Sequence, residues 1–380
     1  MKFINLSNLK NLINKKNLDN FKDEIIDDIS DSINKIINEK IKKYSNKNRI
    51  INNDNLKESY DPFEILSEEE IKNLPSWIRS QLTTSRIIGN SKNIIQTSEG
   101  KKYHRKNPLN DLPGCEWTYF LNSVITTRYP TTGEEGYAHK IRKIHPSPKP
   151  PQLMKEIIEF FTKENELILD YFMGVGGTLL GASLSNRTAI GIDLEEKYIE
   201  AYKKANKELN LNEQITLKGD SIKLLKSPLI IRNLMNSQDL SLILIDPPYG
   251  DMMSREKTGE SIKKGKDSSP TPFTNLDTDL GNFTWEKFRI KFKESIINSM
   301  KLLKNKGHIV IFIKDLQPEK NNPNLNRAYI INDLSKIPDL QYLGTKIWGD
   351  LGVNLYPYGY PYSFVANQIH QYILIFRKKM

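Results

Sequence analysis

The sequence predicts an α/β fold, a mostly parallel sheet with helices on both faces, and three observations predict it. From Leu109 onward, short apolar runs of strand length alternate with amphipathic stretches of helix length, the pattern of strands joined by crossover helices. One of those runs, Leu167-Ile-Leu-Asp170, passes straight into the glycine turn Gly174-Val-Gly176-Gly177 and a new helical stretch. Another, Leu242-Ile-Leu-Ile245, stops at Asp246-Pro-Pro-Tyr249, because two prolines cannot donate to a ladder.

Residues 1–108 read as a Lys/Asn-rich N-terminal extension, partly helical. Within it Ile26, Ile29, Ile33, Ile36 and Ile37 recur at helical spacing, and Thr97 to Asn107 reads as a basic loop. Residues 109–380 read as one catalytic domain. There the pattern predicts a helix over Leu153–Thr162, a strand over Leu167–Tyr171 and a helix over Thr178–Ser185. A strand at Ala189–Asp193, a helix at Glu195–Leu209 and a strand at Gln214–Lys218 follow. Then come a helix from Ser221, the strand Leu242–Asp246, the helix Phe283–Leu303 and the strand His308–Lys314. The strand Gln371–Lys378 closes the sheet as an antiparallel edge addition. The polar stretch Asp251–Asn282 reads as a loop insertion, and structureless loops of that length are usually functional.

Composition narrows the class. The single cysteine, Cys115, excludes an intrachain disulfide and a cysteine-rich zinc site, and no metal site is expected. No run reaches membrane-span length, so a soluble protein of a reducing cytoplasm is expected. The net charge of +10 is the sign expected of a protein that meets a polyanion, although lysine is abundant throughout the chain.

The chemistry lies at the strand ends. The glycine spacing fails the G-x-G-x-x-G rule of dinucleotide folds, and Asp170 would repel a phosphate. An acid beside a glycine turn suits a cationic ligand, and S-adenosylmethionine carries both an ammonium and a sulfonium. Asp193 can take two ribose hydroxyls, and Asp220 can accept an adenine amine. Each acid alone has a plainer alternative as a helix cap, but three at successive strand ends point to one ligand. In Asp246-Pro247-Pro248-Tyr249, the carboxylate and the Pro247 carbonyl can each accept one N–H of an exocyclic amine. That draws the nitrogen toward tetrahedral geometry and frees its lone pair. Tyr249 would stack on a base flipped out of its duplex.

Together with Asn110-Asp-Leu-Pro-Gly114-Cys-Glu-Trp117 and His145-Pro-Ser-Pro-Lys149-Pro150, these motifs resemble the amino-methyltransferases of DNA, the N6-adenine/N4-cytosine family. The resemblance runs from Leu109 to the C-terminus. It implies a Rossmann-like S-adenosylmethionine-dependent methyltransferase fold with a seven-stranded sheet. It implies a cofactor site of Lys149, Pro150, Asp170, Phe172, Gly174, Gly176, Gly177, Thr178, Asp193 and Asp220, with Lys149 and Pro150 beside the methionine part. Asp170-Tyr171-Phe172 stands where members commonly have Asp-Pro-Phe.

The function expected is methylation of adenine N6 in double-stranded DNA. A homodimer and a cognate restriction endonuclease would be further partners, as in restriction-modification. Cytosine N4 and RNA guanine N2 are the alternative targets; D-P-P-Y-G occurs among guanine-N2 enzymes too, and Gly250 follows Tyr249. A DNA-binding protein with a degenerate methyltransferase fold is the non-enzymatic alternative. A metal-dependent nuclease fits less well, because Asp246 lacks a nearby acid-x-Lys pattern. Target recognition is sought in Arg255–Lys266, Trp77–Arg105 and the loop between Gln317 and Arg327.

Overall fold

The structure is a computed structural model, and it describes residues 58–250, 272–316, 324–353 and 368–380. The helix expected around Ile26–Ile37, the basic loop Arg255–Lys266 and the aromatic run Tyr356–Tyr362 lie outside the described residues. So do most of Asp251–Asn282 and most of the loop between Gln317 and Arg327.

The described part of the N-terminal extension carries more strand than the sequence suggests. Strands β1 (Ser59–Tyr60), β2 (Arg86–Ile88), β3 (Ile94–Gln96) and β4 (Lys102–His104) form an antiparallel sheet in sequential order. β4 lies inside the stretch expected to be a basic loop. Three short helices, Pro62–Ile65, Glu68–Lys72 and Ser76–Arg79, pack against this sheet. The second opens on a capping box, Ser67 with Glu70. Leu66, Leu74, Ile78, Ile87, Ile95 and Tyr103 give the unit a core of its own. It is tied to the rest of the chain through Ser76, which hydrogen-bonds Glu164, and through Trp77 Nε1, which donates to the Asp111 carbonyl at 2.8 Å.

The main sheet has eight strands. These are β5 (Val124–Thr127), β6 (Leu167–Asp170), β7 (Thr188–Asp193), β8 (Ile215–Lys218), β9 (Leu240–Ile245), β10 (Leu303–Ile313), β11 (Leu340–Asp350) and β12 (His370–Lys378). Their order is β5-β11-β12-β10-β9-β6-β7-β8. Every neighbouring pair is parallel except the two that involve β12. The mostly parallel α/β architecture is the one expected, with two corrections. β12 is antiparallel, but it lies inside the sheet, between β10 and β11, and not at its edge. The sheet also gains β5 as an eighth strand.

Both faces are covered, and period-two alternation along the strands sorts the side chains between them. Leu167, Leu169, Ile309, Ile311 and Ile313 face the helices Trp285–Ser299 and Asn326–Leu334. Ile168, Val310 and Phe312 face Pro151–Phe161 and Gly177–Ser183. Pro151 occupies the first turn of its helix, where its missing N–H costs nothing. All the parallel strands therefore end on one side of the molecule, the side where open α/β sheets bind ligands.

The separate N-terminal core makes a prediction. Ile95→Ala should cost about 2–4 kcal/mol in that unit and raise amide exchange in β1–β4. Protection in β6, β9 and β10 should stay as it was, so a loss spread equally over both sheets would show that they fold as one.

Candidate active site

The turn after β6 is built on two acids. Asp170 is buried at the strand end, and its Oδ1 accepts the Phe172 N–H at 3.0 Å. Asp193, at the end of β7, accepts the Gly174 N–H on Oδ2 and the Glu195 N–H on Oδ1, both at 2.8 Å. The second strand thus clamps the glycine turn of the first. At the end of the next connection, Asp220 Oδ1 caps the helix Ser221–Lys226 through Ile222 and Lys223.

These acids face one cavity of about 240 Å³, together with Asp246, Pro247, Pro248 and Tyr249. Every residue expected in the site lines it except Pro150 and Gly176. Pro150 stands at the N-cap of Pro151–Phe161. Gly176 is required by packing: its φ is +73°, and a Cβ there would come within 2.3 Å of the Tyr202 ring. Gly177 is required likewise, because a Cβ would lie 2.8 Å from the Lys149 carbonyl. The glycine turn therefore serves the seating of two helices as well as any ligand.

Burial pushes Asp170 up to about 7 and Asp193 up to about 6. In each case hydrogen bonds to the carboxylate oppose the shift, and a nearby acid adds to it. Two desolvated carboxylates in one cavity, with a third beside them, fit a cation-bearing ligand. A carboxylate also has more acceptor sites than the one or two N–H groups that each of these receives. The donor set and its charge fit S-adenosylmethionine, with Asp170 and Asp193 as the residues that would hold it.

The other half of the cavity is differently charged. Lys149 Nζ forms an ion pair with Asp246 Oδ2 and lies 5.2 Å from the centre of the Phe312 ring. The Tyr249 hydroxyl donates to Asp246 Oδ1 at 2.5 Å, and the buried Tyr249 side chain lines the cavity at the margin of the core. Both oxygens of Asp246 are therefore engaged. The sequence reading placed Lys149 beside the cofactor and foresaw neither contact.

Other wall residues were also missed. His145 stacks on Phe273 at 5.1 Å and meets Tyr198 edge-on at 4.8 Å. Burial pushes its imidazole down to about 4, so it sits in the wall as a neutral ring near pH 7. His145 opens a motif quoted above, but no sequence signal marks Tyr198 or Phe273. Arg142 was missed as well. It is buried, and it donates to the Lys149 carbonyl at 2.9 Å.

A family model described as DNA methylase, for N6/N4 methyltransferases, matches residues 4–204. The match includes the glycine turn and ends before β9. Among curated proteins, a tRNA (guanine(10)-N2)-dimethyltransferase of Methanocaldococcus jannaschii is 30% identical over 150 residues, 39% of this chain and 41% of that protein. The type II methyltransferase M.HinfI of Haemophilus influenzae is 34% identical over 90 residues, 24% of each chain. The chain thus spans less than half the length of these relatives. Among solved structures, TrmN from Thermus thermophilus aligns with a TM-score of 0.39 at 15% identity, covering 63% of this chain and 52% of that one. No described helix is long and apolar enough to cross a membrane.

The raised acids give a pH prediction. Their folded values lie above the unfolded 3.8, so the stability they contribute is full below about pH 4 and is lost as pH rises through 6–7. Affinity for a cationic ligand should move the opposite way. Calorimetry should find S-adenosylmethionine bound more tightly at pH 8 than at pH 5.5, and Asp193→Ala should weaken binding while the fold persists. Affinity indifferent to both changes would sink the assignment of the two acids.

Proposed function

Since the chain belongs to the N6/N4 DNA methylase family, we propose that it transfers a methyl group from S-adenosylmethionine to an exocyclic amine of a nucleic-acid base. The observation that carries this reading is the position of Asp246. Asp246, Pro247 and Pro248 follow β9 and line the same cavity as Asp170, Asp193 and Asp220. Bound S-adenosylmethionine supplies an electrophilic methyl group; the protein's work is to present the amine.

An exocyclic amine is a weak nucleophile because its lone pair is shared with the ring. Asp246 accepts one N–H and the Pro247 carbonyl accepts the other, which pulls the nitrogen out of conjugation. For this the amine N–H takes the place of the Tyr249 hydroxyl on Oδ1, while Lys149 keeps its hold on Oδ2 and fixes the carboxylate's orientation. Released from Asp246, Tyr249 offers its ring face to the extruded base, a contact worth about 1–3 kcal/mol. Asp246, already accepting one N–H of the amine, is placed to take the proton that the methylated nitrogen sheds. Such contacts accelerate the reaction because they strengthen as the nitrogen becomes tetrahedral.

Double-stranded DNA as substrate is supported by the family model and by type II methyltransferases among the relatives. A second reading has its own observation. The longer of the alignments given above is to a protein named for guanine N2 of tRNA, and a second protein of that name, from Pyrococcus abyssi, is 30% identical over 101 residues. Guanine N2 is the one target base that these names specify. The choice of adenine N6 over cytosine N4 in DNA, expected from the motifs, rests on the motifs alone.

Labelled methyl transfer decides between the two. Random-sequence duplex DNA and bulk tRNA, each digested and analysed by mass, should show one methylated exocyclic amine in one of them. Label in neither would overturn the proposal.

The catalytic turn is tested by single turnover. Asp246→Ala should lower the rate of methyl transfer by about a hundredfold or more. It also strands the buried Lys149 ammonium, a loss on the order of 3–5 kcal/mol in stability. The companion Asp246→Ala/Lys149→Met should recover stability but not rate. Recovery of rate with stability would make Asp246 a structural residue only.

A further inference from the structure

Gln371 belongs to β12 and lines the same cavity as Asp246 and Tyr249. Its Oε1 is buried and has no hydrogen-bond partner among the described residues. A buried amide oxygen without a donor is costly, and native structures keep few of them. One that borders a binding cavity is a group waiting for a ligand to complete it.

The sheet register sets its place relative to Asp246. Ile245 of β9 lies opposite Ile311 of β10, and Phe312, the next residue, lies opposite Ile373 of β12. Asp246, which follows Ile245, is therefore level with Ile373, and Gln371 stands two residues further toward the open side. With strands about 5 Å apart and a rise of about 3.4 Å per residue, the two backbones differ by roughly 10 Å across the sheet and 7 Å along it. The Asp246 and Gln371 side chains take up most of that offset, which leaves room for two hydrogen bonds to neighbouring nitrogens on one edge of a heterocycle.

The faces agree as well. Gln371, Ile373 and Ile375 alternate onto one side of β12. Ile373 and Ile375 pack with Phe312, the ring beneath Lys149 Nζ. Gln371 thus shares the face on which Lys149 reaches Asp246.

We propose that Gln371 reads the target base, its amide hydrogen-bonding the ring nitrogen next to the amine that Asp246 holds. This rests on the amine-methylation reading above. An amide carries an acceptor and a donor and can turn over. Through Oε1 it serves a ring N–H, as in guanine beside N2. Through Nε2 it serves a bare ring nitrogen, as in adenine beside N6 or cytosine beside N4. Guanine N2 brings a donor neighbour, adenine N6 and cytosine N4 an acceptor; the amide meets either by turning over, so what it reads is a ring nitrogen beside the amine.

The experiment uses the full chain and the nucleic acid that accepts label in the assay above. One oligonucleotide carries the natural target base; its twin carries the analogue with carbon in place of that ring nitrogen. Wild type should favour the natural base by about tenfold in single-turnover kcat/KM, a difference of about 1.4 kcal/mol. Gln371→Leu should treat both alike, with S-adenosylmethionine affinity and Tm as in wild type. Gln371→Glu, an acceptor only, should keep transfer to guanine and its discrimination but lose about tenfold on adenine or cytosine; Gln371→Met replaces Gln371→Leu if that variant fails to fold. Equal discrimination by wild type and a folded Gln371→Leu or Gln371→Met overturns the assignment, as does undiminished transfer to adenine or cytosine by Gln371→Glu, or a wild type indifferent to the analogue. Absence of label in both DNA and RNA is a different failure, that of the amine-methylation reading, and needs no Gln371 variant to be seen.

Discussion

The ion pair between Lys149 and Asp246 is the contact on which the site depends, because it joins two turns that lie 97 residues apart in the chain. On one side stands the Pro-rich entry to the helix Pro151–Phe161; on the other, the exit from β9. A pair this buried gains its Coulomb energy at the cost of desolvating both charges, so it needs support. Arg142 gives it by donating to the Lys149 carbonyl, and Gly177 by leaving room for that same carbonyl. Burial alone pushes the Arg142 guanidinium down to about 10, which leaves it charged near neutrality. One buried cation thus fixes the backbone from which a second reaches the Asp246 carboxylate.

The cavity is divided electrostatically along the sheet. Beyond β6, β7 and β8 stand Asp170, Asp193 and Asp220; beyond β9 and β10 stand Lys149 and Lys314, both on its wall. Burial and the charge of Lys149 push the Lys314 ammonium down. One half thus gathers acids, while in the other the charge of Lys149 is matched by Asp246. The aromatic wall of His145, Tyr198 and Phe273 adds shape without charge, since burial keeps the imidazole neutral.

Much of this was legible in the sequence, and the exceptions share a cause. β6, β7, β9 and β10 announce themselves because strands covered on both faces are apolar at nearly every position. β11 does not, since exposed and half-buried positions interrupt it and Lys346 lies buried within it. β5 is four residues long with Val124 exposed, and the N-terminal strands have two or three residues each. The acids were legible because each ends a strand or follows its end by one or two residues. The grip of Tyr249 on Asp246 was not, because a backbone pattern does not say which way a side chain turns. Gln371 was read only as the start of a strand; its unmet oxygen is a property of the packed molecule.

The antiparallel strand β12 has a consequence for how the molecule assembles. β11 reaches the sheet only through β12, and β5 only through β11. Val124–Thr127 is synthesised early but has no seat until residues 340–378 have emerged and paired. Until then the backbone N–H and C=O groups of β10 that pair with β12 stay unpaired along an open edge, the kind of edge that recruits other chains. Pairings so distant in sequence form slowly. During synthesis the nascent chain carries its cofactor half nearly complete while its β10 flank is still sticky, and that interval is when a chaperone, or an early cofactor, would have most to offer.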